Sequence, residues 1–235
     1  MPIYVISDLH GDYEGYLTIL EKIKFSGKDT LYVNGDVVDR GTGSVKILRH
    51  MMQFANIYPV LGNHEYMACR CLNVLIQEVT ERNLHAFDKE FITGLTEWLS
   101  IGGQEMINEF HKLSSDEKLD ILDYLGDFSL YEEVEVSGQS FIIVHAGLEN
   151  FIPHKSLDEY ELFELIFRNP DYEKVYFPDK YLVTGHLPTS AIVGNPNPHR
   201  IYRTNRHIAI DCGAGYDGQI GAICLDTGVE YYSKE

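Results

Sequence analysis

Short apolar runs rich in β-branched and aromatic residues punctuate the chain at residues 3–6, 31–33, 57–61, 141–144 and 181–183. Each gives way to a polar or turn-forming cluster, the signature of short buried strands. Between the first three lie patterns of helical period. Asp12 can cap a helix whose Tyr16, Leu17, Leu20 and Ile23 share a face, and Val45, Ile47, Leu48, Met51 and Met52 make a second such face. Up to residue 61 the chain therefore alternates strand and helix, the order of an α/β sheet with covering helices.

From about residue 66 to 127 the pattern turns helical and polar, with a capping box at Ser114 and Glu117 ahead of Leu119, Ile121, Leu122 and Leu125. This stretch reads as a helical insertion in a single domain spanning residues 1–235. Residues 128–136 and 139–144 then predict a hairpin turning at Ser137 and Gly138, and 201–203, 208–211, 220–225 and 229–232 predict further strands. Residues 194–199, with two prolines, predict a rigid loop.

Charge narrows the partners. With 19 Lys and Arg against 36 Asp and Glu the formal net charge is -17, so binding to nucleic acid through its phosphate backbone is disfavoured. An acidic surface around a cationic centre suits small phosphate esters, nucleotides or phosphorylated proteins better. No apolar run approaches the ~18 residues of a membrane span, and the first run passes straight into Asp8 without the form of a secretory leader. Cys69, Cys71, Cys212 and Cys224 form no CxxC pair, so reduced thiols and a cytoplasmic location are expected.

What distinguishes the chain is where its metal-type ligands fall. Asp8 and His10 follow the first strand, Asp36 the second, Asn63 and His64 the third, His145 the fourth and His186 the fifth. Any one of these alone reads as a cap, a turn or a satisfied polar group. Ligands nevertheless gather beyond the carboxyl ends of strands in α/β sheets, and five coincidences there favour a metal site. The mixed oxygen and nitrogen set, without thiolate, suits manganese, iron or zinc. Six ligands suffice for two ions sharing a carboxylate, ~3.5–4 Å apart. Gly35, Gly41, Gly62, Gly147 and Gly185 stand beside these residues, where tight turns need a missing side chain.

In the blocks Ser7-Asp-Leu-His-Gly11, Gly35-Asp-Val-Val-Asp-Arg-Gly41, Gly62-Asn-His-Glu65, His145-Ala-Gly147 and Gly185-His186, the chain resembles the metallophosphoesterase superfamily and, within it, the phosphoprotein phosphatase family. It looks most like small bacterial and phage protein phosphatases and diadenosine tetraphosphate hydrolases. The resemblance implies a calcineurin-like sandwich of two β-sheets flanked by helices. It also implies two divalent cations, manganese foremost, and in-line attack on phosphorus by a hydroxide bridging them. Asp8 and His10 would hold one cation, Asp36 would bridge, and Asn63, His145 and His186 would hold the other. Asp39 would orient His64 as proton donor to the leaving group. Arg40, Asn63 and, in Leu165-Ile-Phe-Arg168, Arg168 would contact the substrate phosphate.

The chain departs from the family pattern at Ser7, Leu187 and Phe167, which leaves the ligands intact but bears on the pocket. The expected activity is that of a serine/threonine protein phosphatase, with phosphotyrosine a further substrate; the alternative is a bis(5'-nucleosyl)-tetraphosphatase. Glu65, usual in the phosphatase branch, tips the choice towards the first.

Overall fold

The computed structural model describes residues 1–77 and 84–234, residues 84 and 85 by backbone alone. The chain opens as β1 (Ile3–Ile6), α1 (Tyr13–Lys22), β2 (Thr30–Asn34), α2 (Ser44–Met51) and β3 (Ile57–Val60), the alternation its pattern predicts. α3 (Asn63–Leu75), α4 (Lys89–Ser100), α5 (Gln104–Phe110) and α6 (Ser115–Gly126) follow, then the hairpin of β4 (Tyr131–Val136) and β5 (Gln139–Val144). α7 (Leu162–Ile166), β6 (Lys180–Thr184), β7 (Tyr202–Thr204), β8 (His207–Ala209), β9 (Gly221–Cys224) and β10 (Glu230–Tyr232) complete it.

The strands form two five-stranded sheets, ordered β10-β9-β1-β2-β3 and β4-β5-β6-β8-β7. β1, β2 and β3 run parallel, as do β5, β6 and β8; antiparallel partners edge both sheets. The period-2 alternation of a strand explains why these segments read as unbroken apolar runs. Val5 and Ile223 point between the sheets, where they meet Phe141, Ile143, Val183 and Ile208. Tyr4, Ile6, Leu31 and Val33 point the other way, against Tyr16, Ile19, Ile47, Leu48, Leu72 and Trp98 of the helices. On the far side Ile142, Val144 and Leu182 pack on Leu165, Ile166 and Tyr176. Both faces of each central strand are thus buried, at about 1.5–3 kcal/mol for each large aliphatic side chain removed from water.

The layers are therefore helices, sheet, sheet, helices, and the expected sandwich is the observed one. Three of the boundaries that differ from the sequence reading have a visible cause. β3 stops at Val60, because Leu61 N–H donates to the Ser129 carbonyl (2.7 Å) and draws the chain across towards the second sheet. The same contact, with Ser129 N–H on the Pro59 carbonyl (3.2 Å), holds residues 128–130 out of the hairpin, so β4 starts at Tyr131. The helical stretch after β3 starts with α3 at Asn63, where the Glu65 carboxylate caps the helix from within on Gly62 N–H (3.0 Å). The last of these helices ends at Gly126, and residues 78–83 lie outside the described residues. No helix among the described residues is long and apolar enough to cross a membrane.

One core group gives the fold an acid-sensitive point. His207 of β8 is buried against the Tyr172 ring (4.5 Å between centroids), with Nε2 on Thr184 Oγ1 at 2.8 Å and no partner for Nδ1. Burial lowers its pKa from 6.5 to about 3. The unfolded chain therefore takes up a proton between those values that the folded chain refuses. This contribution to stability is complete above pH 6.5 and is lost as pH falls towards 3. Urea unfolding at pH 7 and pH 4 should show a smaller drop for His207→Gln than for the wild type; equal drops would remove His207 from the account.

A candidate dinuclear metal centre

The loops at the carboxyl ends of the parallel strands continue to bond to one another after the strands end. Asp8 N–H donates to the Gly35 carbonyl (3.0 Å), His10 N–H to Asp36 (2.9 Å) and Gly11 N–H to Val37 (2.9 Å). To stay in register while turning, the backbone adopts positive φ at Asp8 (53°), His10 (42°), Asp36 (53°), Asp39 (74°), Arg40 (64°) and His186 (66°). Each such residue costs of order 1 kcal/mol, and clusters of them mark sites the surrounding structure has to enforce. Gly35, at φ +77°, is required outright, because a Cβ there would collide with the His145 imidazole.

Glu65 is the main support of this backbone. Fully buried, its carboxylate accepts from the N–H groups of Asp36 (2.8 Å), Val37 (2.7 Å), Val38 (3.1 Å) and Gly62 (3.0 Å). Asn34, also fully buried, does similar work: its carbonyl receives Ser7 Oγ (2.9 Å) and lies 3.0 Å from His145 Nδ1, while its amide donates to the Val144 carbonyl (3.0 Å). With Nδ1 committed as donor, His145 presents Nε2 to the centre. His10 is fixed in the same way, Nδ1 lying 3.2 Å from the Val38 carbonyl.

The presented atoms converge on Asp36. His145 Nε2 lies 3.3 Å from Asp36 Oδ1 and 3.1 Å from Asn63 Oδ1, which in turn lies 2.9 Å from His186 Nδ1. On the other side, Asp36 Oδ2 lies 3.8 Å from Nε2 of His10 and 3.8 Å from Nε2 of His64. Among the described residues two triplets have ligand atoms all within 4.8 Å of one another, His10 with Asp36 and His64, and Asp36 with His145 and His186. Asp36 belongs to both. Asp8 borders the second triplet, its carboxylate accepting the His186 N–H (3.1 Å to each oxygen) beside Ser7 Oγ.

The electrostatics match a cation site. Asp8, Asp36, Asp39, Asp211 and Glu65 are all buried here, with Arg40 as their cationic neighbour. Burial, with Asp211 next to it, raises the Asp8 carboxyl well above its usual range. Burial raises Asp211 to about 6, and burial together with the nearby Asp36 carboxylate raises Glu65 to about 7. For Asp36, burial is outweighed by His145 and His64, which hold its carboxyl well below the usual range. Burial would likewise lower His145, but Asp36 and then Asp8 outweigh it and raise the imidazole to about 10. The negative field that holds a proton on His145 would hold a dication in its place. His10, lowered by burial to about 3, and His186, lowered by burial and His145 to about 4, are neutral and offer lone pairs. Imidazole, carboxylate and amide oxygen, with no thiolate, fit manganese, iron or zinc.

Beside this centre His64 Nδ1 lies 2.6 Å from Asp39 Oδ2, and the same oxygen accepts Trp98 Nε1–H (2.7 Å). Arg40 Nη2 stands 3.4 Å from His64 Nε2, and its guanidinium lies 4.2 Å over the Tyr216 ring. The structure thus brings together Asp8, His10, Asp36, Asp39, Arg40, Asn63, His64, His145 and His186. Arg168 is not with them: its side chain is 68% exposed and paired with Glu149 (3.0 Å). Its neighbour Phe167 does meet His186 through the backbone, so Arg168 stands at the rim with its side chain turned away. Arg40→Ala should therefore lower kcat/KM by on the order of 100-fold, the scale of a lost transition-state donor. Arg168→Ala should lower it by less than ~10-fold, the scale of an exposed ion pair and its neighbours. A larger effect for Arg168 in steady-state kinetics would show that it turns inward during turnover.

Sequence reasoning missed the parts played by Asn34, Glu65, Trp98, Asp211 and Tyr216. Glu65 stood inside a quoted block, and its place three residues after Gly62 was the available signal for a capping carboxylate.

Comparison with known proteins bears on the family and the fold. Similarity of 43% identity to the symmetrical bis(5'-nucleosyl)-tetraphosphatase of Escherichia coli extends over 67 residues, 28% of this chain and 24% of that protein. The matched stretch thus spans about a quarter of the relative's length. A crystal structure provisionally assigned as a diadenosine tetraphosphatase superposes with a TM-score of 0.63 at 18% identity, over 98% of this chain and 92% of that one. A serine/threonine phosphatase from Saccharomyces cerevisiae does so with a TM-score of 0.59 at 15% identity, over 99% and 79%. At such identities these likenesses concern the fold. The model of the calcineurin-like phosphoesterase family matches residues 1–213, and the chain belongs to that family.

Proposed function

We propose that this phosphoester hydrolase is a protein phosphatase, acting on phosphoserine and phosphothreonine with phosphotyrosine as a further substrate. In this reading Asp8, His10, Asp36, Asn63, His145 and His186 hold two divalent cations. The carrying observation is Asp36, which stands in both ligand triplets. Bound there, the cations, manganese foremost, supply Lewis-acid charge and acidify water towards a pKa of ~7 for in-line attack on phosphorus.

The chain's own residues serve the rest of the reaction. Arg40 offers a planar fork of donors to phosphate oxygens. His64, whose pKa burial and Arg40 would lower but Asp36 and Asp39 raise above its ordinary value, can pass a proton to the leaving oxygen. Asp39 holds the ring by Nδ1, which leaves Nε2 as the donating atom. The free thiols fit a cytoplasmic location.

The choice of substrate rests on the surroundings of the site. Glu65 no longer bears on it, since both its oxygens are bound to buried backbone. A cleft of about 330 Å³ lined by Tyr66, Phe163, Phe167, Asp88, Glu90, Glu97 and Arg70, the last paired with Glu90 (2.9 Å), reaches towards the centre through Phe167, whose backbone meets His186. A net charge of -17 suits a phosphopeptide carrying basic residues better than a free tetraphosphate. The second reading, a bis(5'-nucleosyl)-tetraphosphatase, is favoured by the Escherichia coli relative.

The test is manganese-supplemented turnover of p-nitrophenyl phosphate, a phosphoserine peptide and diadenosine tetraphosphate. We expect the peptide to give the highest kcat/KM and chelation to abolish all three activities. A higher value for the dinucleotide would establish the second reading. Activity that persists after rigorous metal removal would overturn both.

A further inference from the structure

After α3, the described helices meet the centre at the turn of residues 98–102, which touches two of the groups assigned to chemistry. Trp98, fully buried at the end of α4, donates Nε1–H to Asp39 Oδ2 at 2.7 Å, the oxygen that lies 2.6 Å from His64 Nδ1. Asp39 Oδ1 has no hydrogen-bond partner, so the two donors on Oδ2 are what fix the carboxylate's side chain. Four residues on, the Gly102 carbonyl accepts the Arg40 N–H (3.0 Å) and the Ile101 carbonyl accepts Arg40 Nε–H (3.3 Å). The approach is close: Gly102 has φ +114°, and a Cβ on it would lie 2.7 Å from Arg40 Cγ.

We propose that Trp98 is a positioning residue, which acts on leaving-group protonation by holding Asp39 and through it His64, and that the turn after it sets the backbone of Arg40. The insertion is thereby part of the working site and not a cover laid over it. The inference rests on the phosphoesterase reading for its kinetic consequence, though not for the contact itself. A Trp98 that merely fills the core would owe its effect to ring volume. A positioning Trp98 owes it to one N–H.

Trp98 is the chain's single tryptophan, so the N–H can be removed alone by growing the protein with the isosteric analogue β-(3-benzothienyl)alanine. That protein, and Trp98→Phe, should keep the wild-type manganese content. They should lose about 10–100-fold in kcat on phenyl phosphate, the worth of a hydrogen bond to a charged group. Loss on p-nitrophenyl phosphate, whose leaving anion needs little protonation, should be several-fold smaller. In a His64→Asn background the analogue should change neither rate. Equal losses on both substrates in both backgrounds, or no loss on phenyl phosphate, would overturn the proposal. A separate arm needs no activity: the single indole N–H resonance should exchange slowly in the metal-free wild type and shift in Asp39→Ala. An unmoved resonance would refute the contact. An inactive wild type with the expected resonance would instead fault the phosphoesterase reading.

Discussion

Replacing Asp36 with Asn is expected to lower kcat/KM by at least about three orders of magnitude, the upper scale for one lost electrostatic group at a reacting centre. It should also take manganese content below that of any other single ligand variant, as read by elemental analysis of the dialysed protein. Both effects follow from shared use of one carboxylate. Oδ1 faces His145 Nε2 (3.3 Å), and Oδ2 faces Nε2 of His10 and of His64 (3.8 Å each). Asn keeps the shape but removes the charge and turns one acceptor into a donor, so one triplet loses its oxygen ligand and the other keeps only a neutral amide oxygen. His10→Asn or His186→Asn removes one ligand from one side and should leave measurable metal on the other. If Asp36→Asn retained a full complement of metal and activity within ~10-fold of wild type, a barrier change under about 1.4 kcal/mol, the bridging assignment would fail.

The convergence around Asp36 was legible in the sequence because parallel strands buried on both faces read as unbroken apolar runs. Their ends are therefore sharp, and the metal-type ligands within the next few positions can be named. Asp8, Asp36 and His145 were found in that way. The supports were not legible, because what makes them supports is a contact between distant segments. Trp98 and Asp39 are 59 residues apart, and Asn34 and Val144 are 110 apart. No local pattern separates such a tryptophan from one that only fills a core, or such an asparagine from a turn.

Arg168 shows the reverse limit. Its motif assigned it to the substrate phosphate, and the backbone of its neighbour Phe167 does meet His186, but a motif fixes a position along the chain and not a rotamer. Glu149, which lies in a separate segment, meets the side chain outside the site. The positive φ of Asp39 and Arg40 was equally hidden, since neither is glycine. It becomes intelligible only once Gly102 is seen accepting the Arg40 N–H.

His64 is where the geometry leaves two roles to be told apart by experiment. Its Nε2 belongs to a triplet with His10 and Asp36, as a metal ligand's would, while its Nδ1 is tied to Asp39 at 2.6 Å, as a proton donor's would be. The second role is the stronger, because the ring is fixed by a carboxylate that no cation would share and because Arg40 stands 3.4 Å from the nitrogen in question. His64→Asn should then retain manganese and fold while losing about 10²–10⁴-fold in turnover of phenyl phosphate, the usual range for a lost general acid. The loss should shrink as the leaving group improves, and be least for p-nitrophenyl phosphate. Asp39→Asn should follow the same ordering with a smaller amplitude, since it weakens the hold on the ring without removing it. A loss independent of leaving group, accompanied by loss of metal, would instead make His64 a ligand and move the proton donor elsewhere in the site.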